Sequence, residues 1–298
     1  MFLLGKGGKR DYGSVQVGHF VKLHGRPAPF LEWRCPTLAR PFLRLGITLA
    51  GFLLWGITQG FLSDVFGLED SSIPSWALLS FIALIVLIPL WRLVPRVAGW
   101  FGRKNGRIAV ASSAVLFIPF TVIAVRSGLL FVGFSSEWFL FAGALLLLAA
   151  SEEIICRGFM MDTLGFRKSR LTGLLLSSLA FAMLHLGNSH AAFAGIANIF
   201  LAGVLFGFLR LVTDGLLYPI LVHWIWNLAT GMIFGWNVSG HTLLPTVFRT
   251  AGHPPWGAFG PEESILMTIG TLGAIAVLVK KLYLSENKVL PPVTEPSE

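Results

Sequence analysis

Long apolar runs alternate with short polar segments along most of the chain. The hydrocarbon core of a bilayer, about 30 Å thick, needs about 20 consecutive apolar residues in a helix that crosses it. Runs of this length predict eight transmembrane helices, at about 43–63, 75–94, 107–126, 137–161, 171–188, 191–211, 215–235 and 263–283. The predicted fold is therefore all-α, a polytopic bundle of about eight membrane helices.

The distribution of Lys and Arg predicts the orientation of this bundle. Positive charge is concentrated in the segment 1–40, in alternate loops and just after the last helix. Because positively charged loops remain on the cytoplasmic side, both termini are predicted to be cytoplasmic. The chain then divides into a basic N-terminal segment 1–40, a membrane bundle 41–284 and a disordered tail 285–298. We expect a multi-pass protein of the inner or plasma membrane.

The composition supports a membrane protein and argues against other classes. Hydrophobic residues make up 54% of the 298 residues and charged residues only 13%, against about 25% charged residues in a soluble domain. The net charge of +8 is spread over loops, so we expect no nucleic-acid partner. The two cysteines, Cys35 and Cys156, lie in unlike segments and indicate neither a disulfide nor a thiol site.

The stretch SEEIICRGF places three charged residues inside the apolar run 137–161. A charge at the centre of a bilayer costs about 3 kcal/mol, so Glu152, Glu153 and Arg157 must face the bundle interior. Glu153 and Arg157 are four residues apart, with the acid first, which predicts an ion pair. Such a pair could equally brace helices. Glu152 is turned about 100° away and is expected to project into a cavity.

Further polar residues occur at similar depth on other helices. His185 ends the run LLLSSLAFAMLH, one turn after Phe181, whereas His223 and Asn227 lie four residues apart in YPILVHWIWN. A single membrane histidine is as often a helix-packing residue as a functional one. Glu152, His185 and His223 nevertheless lie on three helices, each within about 8 Å of the helix midpoint. Together they indicate a general acid/base site.

These residues fall into three motifs that occur together in a known family. EEIICR, FAMLH and HWIWN fit Glu-Glu-x-x-x-Arg, Phe-x-x-x-His and His-x-x-x-Asn. In this order, the motifs resemble the CAAX protease and bacteriocin-processing (CPBP, or Abi) family of intramembrane endopeptidases, over a protease-like core at 137–235. The resemblance implies a hydrolase that cleaves peptide bonds in prenylated CAAX-type, peptide or membrane-protein substrates.

The resemblance also implies a role for each motif residue. Glu152 and His185 would activate the attacking water, and His223 and Asn227 would stabilise the oxyanion. Three residues would shape the site, namely Glu153, Arg157 and Phe181.

The implied mechanism is of the glutamic type, so we expect no cofactor. Zinc is the alternative, because Glu152, His185 and His223 could complete a three-ligand site with an open water position. The absence of a His-Glu-x-x-His motif counts against a zincin-type metalloprotease.

Two other functions remain open at this stage. Related proteins include non-catalytic immunity or scaffold proteins, and membrane Glu and His residues also serve proton-coupled transporters. The sequence shows no inverted repeat, which argues against a transporter.

Overall fold

The computed structural model of the chain describes residues 102, 104–165, 169–243, 245–252 and 255–287. The predicted N-terminal segment 1–40, the predicted helices at 43–63 and 75–94 and residues 288–298 of the predicted tail lie outside the described residues. Helices and strands are numbered below from the first one described.

Helices dominate the described part of the chain. The first two are α1 (Gly106–Arg126) and α2 (Glu137–Glu153), and α2 continues through a π-helical segment (Ile154–Met160) into the short α3 (Met161–Leu164). Next, α4 (Arg170–Leu184) ends in a 3-10 turn (His185–Gly187) and is followed by α5 (Phe193–Thr213). Helix α6 (Leu217–Asn227) continues as a second π-helical segment (Leu228–Ile233), and a 3-10 turn (Pro261–Glu263) precedes α7 (Ile265–Asn287).

Short strands lie in the connections between these helices. Strand β1 (Leu129–Phe131) pairs antiparallel with β4 (Phe248–Thr250), with Leu130 opposite Arg249. Strand β2 (Asn237–Val238) pairs antiparallel with β3 (His241–Thr242). The second pair lies between the π-helical end of α6 and the turn that leads into α7.

Within the described residues, five helical stretches are long and apolar enough to cross a membrane: Gly106–Arg126, Glu137–Leu164, Arg170–Gly187, Phe193–Thr213 and Ile265–Leu284. They agree within a few residues with the spans predicted at 107–126, 137–161, 171–188, 191–211 and 263–283. The predicted span 215–235 is helical from Leu217 to Ile233, over 11 α-helical and six π-helical residues, and is shorter than these five. The total of eight spans and the cytoplasmic termini stay predictions.

Helix α5 is the central helix of the described bundle. In its membrane-spanning stretch 61% of the residues are buried, against 28% in α1 and α7. Leu205 and Leu209 are fully buried on it, whereas apolar residues of α1 such as Val110 and Ile118 remain exposed. Exposed apolar side chains on outer helices suit contact with lipid. Residues on α5 can therefore reach the interior faces of several neighbouring helices.

Candidate functional site

A buried ion pair lies at the end of α2. The Arg157 Nη1 atom is 3.2 Å from Oε1 of Glu153, and neither side chain is exposed. The guanidinium also lies over the rings of Phe181 and Phe206, with Cζ at 4.4 and 5.2 Å from their centroids, which adds cation–π attraction. A Cβ at Gly203 would come within 3.0 Å of Arg157 Nη2. The missing side chain of Gly203 thus leaves room for the guanidinium.

The backbone around Arg157 is π-helical, from Ile154 to Met160. A π-helix bonds residue i to i+5, and short π-helical segments occur frequently at functional sites. Arg210 of α5 stabilises this segment, because its Nη1 donates to the backbone carbonyl of Arg157 and its Nη2 lies 2.8 Å from Oδ1 of Asp162. Arg210 therefore joins the widened turn to the central helix.

The imidazole of His223 contacts both glutamates of the SEEIICRGF stretch. Its Nδ1 is 3.0 Å from Oε1 of Glu153 and its Nε2 is 3.6 Å from Oε2 of Glu152. The ring of Phe206 stacks on the imidazole, at 5.0 Å between centroids and 16° between planes. Glu152 and Glu153 point in different directions from α2, yet they reach opposite nitrogens of the same ring.

His185 is held by the helix that it ends. Its Nδ1 lies 2.9 Å from the backbone carbonyl oxygen of Phe181. A carbonyl oxygen only accepts hydrogen bonds, so Nδ1 carries the proton and Nε2 of the neutral ring is left as an acceptor. The Phe181 ring packs edge-on against His185, at 4.8 Å between centroids. This tautomer suits a base that acts through Nε2.

One cavity connects the residues of the second and third motifs. His185, His223, Asn227 and Phe181 all line it, among mostly apolar neighbours. Glu152 is joined to this group by its contact with His223. A largely apolar cavity with a few convergent polar groups is typical of a small-molecule or substrate site. The structure thus brings together the residues singled out in the sequence, from α2, α4 and α6.

Comparison with known families gives a match over the same part of the chain. Residues 134–229 match the family described as type II CAAX prenyl endopeptidase Rce1-like. This segment is Rce1-like. The match contains all three motifs and confirms the resemblance to CAAX proteases. It indicates a hydrolase, a CAAX-type intramembrane endopeptidase in general terms, and an integral membrane protein. No curated protein matches the chain.

Sequence reasoning missed an acidic residue of the cavity, Glu262, which lies outside the Rce1-like segment. This glutamate is only 1% exposed and lines the cavity with His223 and Asn227. The indole Nε1 of Trp226 donates to Glu262 Oε1 at 2.9 Å. Burial raises the pKa of Glu262 to about 7, although the indole hydrogen bond acts in the opposite direction. The apolar, Gly-rich segment WGAFGPEES around Glu262 is the feature of the sequence that could have indicated its burial.

The same geometry bears on the zinc alternative. In the part of the chain that the structure describes, no group of three or more His, Cys, Asp or Glu side chains is arranged to hold a metal ion. Nδ1 of His185 is bonded to a carbonyl and Nδ1 of His223 to Glu153. These bonds leave Nε2 of each ring without a hydrogen bond, as in histidines that bind a metal through Nε2. The zinc alternative through Glu152, His185 and His223 therefore stays a prediction.

Proposed function

We propose that this protein is a glutamic-type intramembrane endopeptidase in which Glu152 and His185 activate water. The observation that carries the proposal is the 3.6 Å contact between Glu152 and His223, beside a cavity that His185, His223 and Asn227 share. Structural bracing explains the Glu153–Arg157 pair, but it does not explain a further carboxylate directed at a cavity histidine. A largely buried carboxylate whose nearest charged partner is a cavity histidine rather than a Lys or Arg is more readily explained by chemistry than by packing.

Water activation follows from the free acceptors of these side chains. Nε2 of His185 is available as an acceptor because Nδ1 is engaged by the Phe181 carbonyl. A water between this nitrogen and the Glu152 carboxylate gives its proton to Glu152 as its oxygen attacks the peptide carbonyl carbon. When the C–N bond breaks, the same proton passes to the leaving amine. The oxygen of the water thus enters the new carboxyl group, and its proton enters the new amine. The reaction needs no further reactant.

His223 and Asn227 supply donors for the negative oxygen that forms in this step. They lie four residues apart on one face of α6 and both line the cavity. Because Nδ1 of His223 donates to the Glu153 carboxylate, Nε2 donates as well only in the imidazolium, in which both ring nitrogens carry a proton. Asn227 donates from Nδ2. Donors fixed in a buried site stabilise an oxyanion strongly, because they need no rearrangement during the reaction. The stacked Phe206 and the bond to Glu153 keep the imidazole in place.

We assign as substrates peptides or membrane proteins, with prenylated CAAX-type proteins as the leading class. The Rce1-like match, whose description names a prenyl endopeptidase, supports this assignment. The exposed apolar sides of the outer helices would let a lipid-modified chain approach from the bilayer.

The proposal includes eight spans, both termini in the cytoplasm and no cofactor.

The test is cleavage by the purified full-length protein in proteoliposomes. The substrates are a farnesylated CAAX peptide, the same peptide without the farnesyl group and an apolar transmembrane peptide. We expect Glu152→Gln and His185→Ala to lower the rate at least 100-fold, as the loss of a general base does. Glu137→Gln, an exposed glutamate on the same helix, should cleave like the wild type. Wild-type rates in both site variants would refute the mechanism. A wild type that cleaves none of the three would favour a scaffold or transporter.

A further inference from the structure

Glu262 is a buried carboxylate that the proposed mechanism does not use. It lies outside the Rce1-like segment and is 1% exposed. Its Oε1 accepts from the Trp226 indole, whereas Oε2 has no partner of ordinary hydrogen-bond geometry. The backbone N–H groups of Glu262 and Ser239 lie close enough to the carboxyl to lower its pKa, but they carry no charge. The ion pairs formed within the described residues do not include Glu262. Buried carboxylates are normally paired, so this one has capacity for a cation beyond those of the described residues.

The position of this carboxylate is fixed by the central helix. Nδ2 of Asn198 on α5 donates to the backbone carbonyls of Glu262, at 2.7 Å, and Ser264, at 3.0 Å. Its Oδ1 accepts from the hydroxyl of Thr268 on α7. Gly260 has φ of 113°, and a Cβ there would overlap the carbonyl oxygen of Asn237. The turn that carries Glu262 is thus anchored on both sides.

We propose that Glu262 makes this cavity a binding subsite for a cationic side chain of the peptide substrate, a lysine ammonium or an arginine guanidinium. This inference rests on the proposed function and deepens it by naming a substrate feature. The subsite shares its cavity with His223 and Asn227, so the bound side chain belongs to a residue close to the scissile bond.

The surroundings of Glu262 favour a long cationic side chain over a small cation. The other walls include Leu116, Val222 and Met267, which can contact the methylene stem of Lys or Arg while the charged head meets the carboxylate. An unpaired ionised carboxylate beside His223 and Asn227 would also oppose formation of the oxyanion. A bound cation removes that opposition. Because burial raises the pKa of Glu262 to about 7, the arriving cation also promotes its ionisation near neutral pH.

The experiment measures binding, so that it does not depend on catalysis. Fluorescently labelled nonapeptides of Leu and Ala carry one lysine, or one norleucine of similar length, at each position in turn. They are titrated into full-length protein carrying Glu152→Ala. At one position we expect lysine to bind about tenfold more tightly than norleucine, as hydrogen bonds to a charged group allow. Adding Glu262→Gln, which retains an acceptor for Trp226, should abolish this preference. Adding Glu263→Gln instead should preserve it.

Three outcomes would overturn the inference. One is the absence of any lysine preference, and another is an equal preference with and without Glu262→Gln. The third is an equal loss of lysine and norleucine binding in the Glu262→Gln protein, which would make Glu262 a positioning residue for Trp226. Failure of the wild type to cleave would refute the proposed function but would leave these binding ratios fully interpretable.

Discussion

Nδ1 of His223 lies 3.0 Å from Oε1 of Glu153, and the same oxygen is 3.2 Å from Nη1 of Arg157. A single carboxylate oxygen thus contacts an imidazole on α6 and a guanidinium of its own helix. All three side chains are buried. This shared acceptor fixes the position of His223, a proposed oxyanion donor, relative to α2. Glu153 therefore contributes to the stability of the fold as well as to the geometry of the site.

Replacing Glu153 by Gln should strongly destabilise the fold. The change leaves the buried Arg157 guanidinium without its negative partner, and breaking a buried pair in this way costs about 3–5 kcal/mol. Unfolding of the purified protein in detergent, followed by circular dichroism, measures the loss. Glu153→Gln combined with Arg157→Met should recover much of it, because no unpaired charge remains. Additive losses in the double variant would show that the two side chains are not coupled.

Gly203→Ala should destabilise the contact between α4 and α5. Its Cβ would lie 3.0 Å from both Arg157 Nη2 and the Cβ of Ser178, so overpacking of about 1–3 kcal/mol is expected. Gly143→Ala is the matched control, because nothing lies within 4 Å of a Cβ there and alanine favours a helix interior by about 1 kcal/mol. Melting temperatures that move in opposite directions are the expected result. A parallel shift would refute the packing argument.

Arg210→Met should lower peptide cleavage about tenfold or more without removing any group that contacts substrate. Arg210 bonds the carbonyl of Arg157 and pairs with Asp162, and small misplacements of catalytic groups have large effects on rate. Asp162→Asn should have a weaker effect in the same direction. Lys104→Met serves as the control, because it removes an exposed surface pair with Asp214. Equal rates for Arg210→Met and Lys104→Met would contradict a positioning role.

Glu262 should make stability fall as pH rises from 4.5 to about 7. Below pH 4.5 its carboxyl is protonated in the folded and the unfolded chain alike. Between these values the unfolded chain has lost the proton whereas the folded chain retains it, because burial raises the pKa from 4.5 to about 7. Raising the pH therefore favours unfolding, by about 3 kcal/mol over this range, and the effect is constant above it.

Unfolding titrations of wild type and Glu262→Gln across this pH range measure the contribution. The difference between their free energies of unfolding should change by the stated amount between pH 4.5 and 7. Glu263→Gln should follow the wild type at every pH. Parallel curves for wild type and Glu262→Gln would show that the carboxyl has no raised pKa.

Removal of divalent metals should leave cleavage unchanged. The described side chains do not form a three-residue metal group, and the proposed water activation uses only Glu152 and His185. The measurement is the cleavage rate after exhaustive dialysis against a chelator, with and without added zinc. Loss of activity that zinc restores would establish the metal-dependent alternative through Glu152, His185 and His223.

The sequence predicts those features that depend on the geometry of a single helix. The Glu153–Arg157 pair follows from a spacing of four residues, and the same spacing places His223 and Asn227 on one face. The five described spans follow from the length of their apolar runs. The spans and the shared face of His223 and Asn227 require only the regular repeat of an α-helix. The Glu153–Arg157 pair forms as predicted although Arg157 lies in the π-helical segment.

Features that depend on packing between distant segments could not be predicted. The contact of Glu152 with His223 requires the relative placement of α2 and α6. The burial of Glu262 depends on Asn198, which lies 64 residues earlier in the chain. The segment that carries Glu262 has no helical periodicity, so the sequence does not predict which elements it packs against. Neither π-helical segment has a marker in the sequence, because side-chain patterns specify an α-repeat.

The π-helical segment Ile154–Met160 also makes the geometry of this site depend on the number of residues in that segment. Its i to i+5 hydrogen bonds include an additional residue in the turn, and each residue of an α-helix turns the chain by about 100°. Deleting one residue between Ile154 and Met160 would remove the additional residue and narrow the turn that carries Arg157 to an α-helical turn. The same deletion in the regular part of α2 would instead turn everything after it, including Asp162, by about 100° away from Arg210. An insertion or deletion at this point would therefore alter the site while every motif residue remained in the sequence.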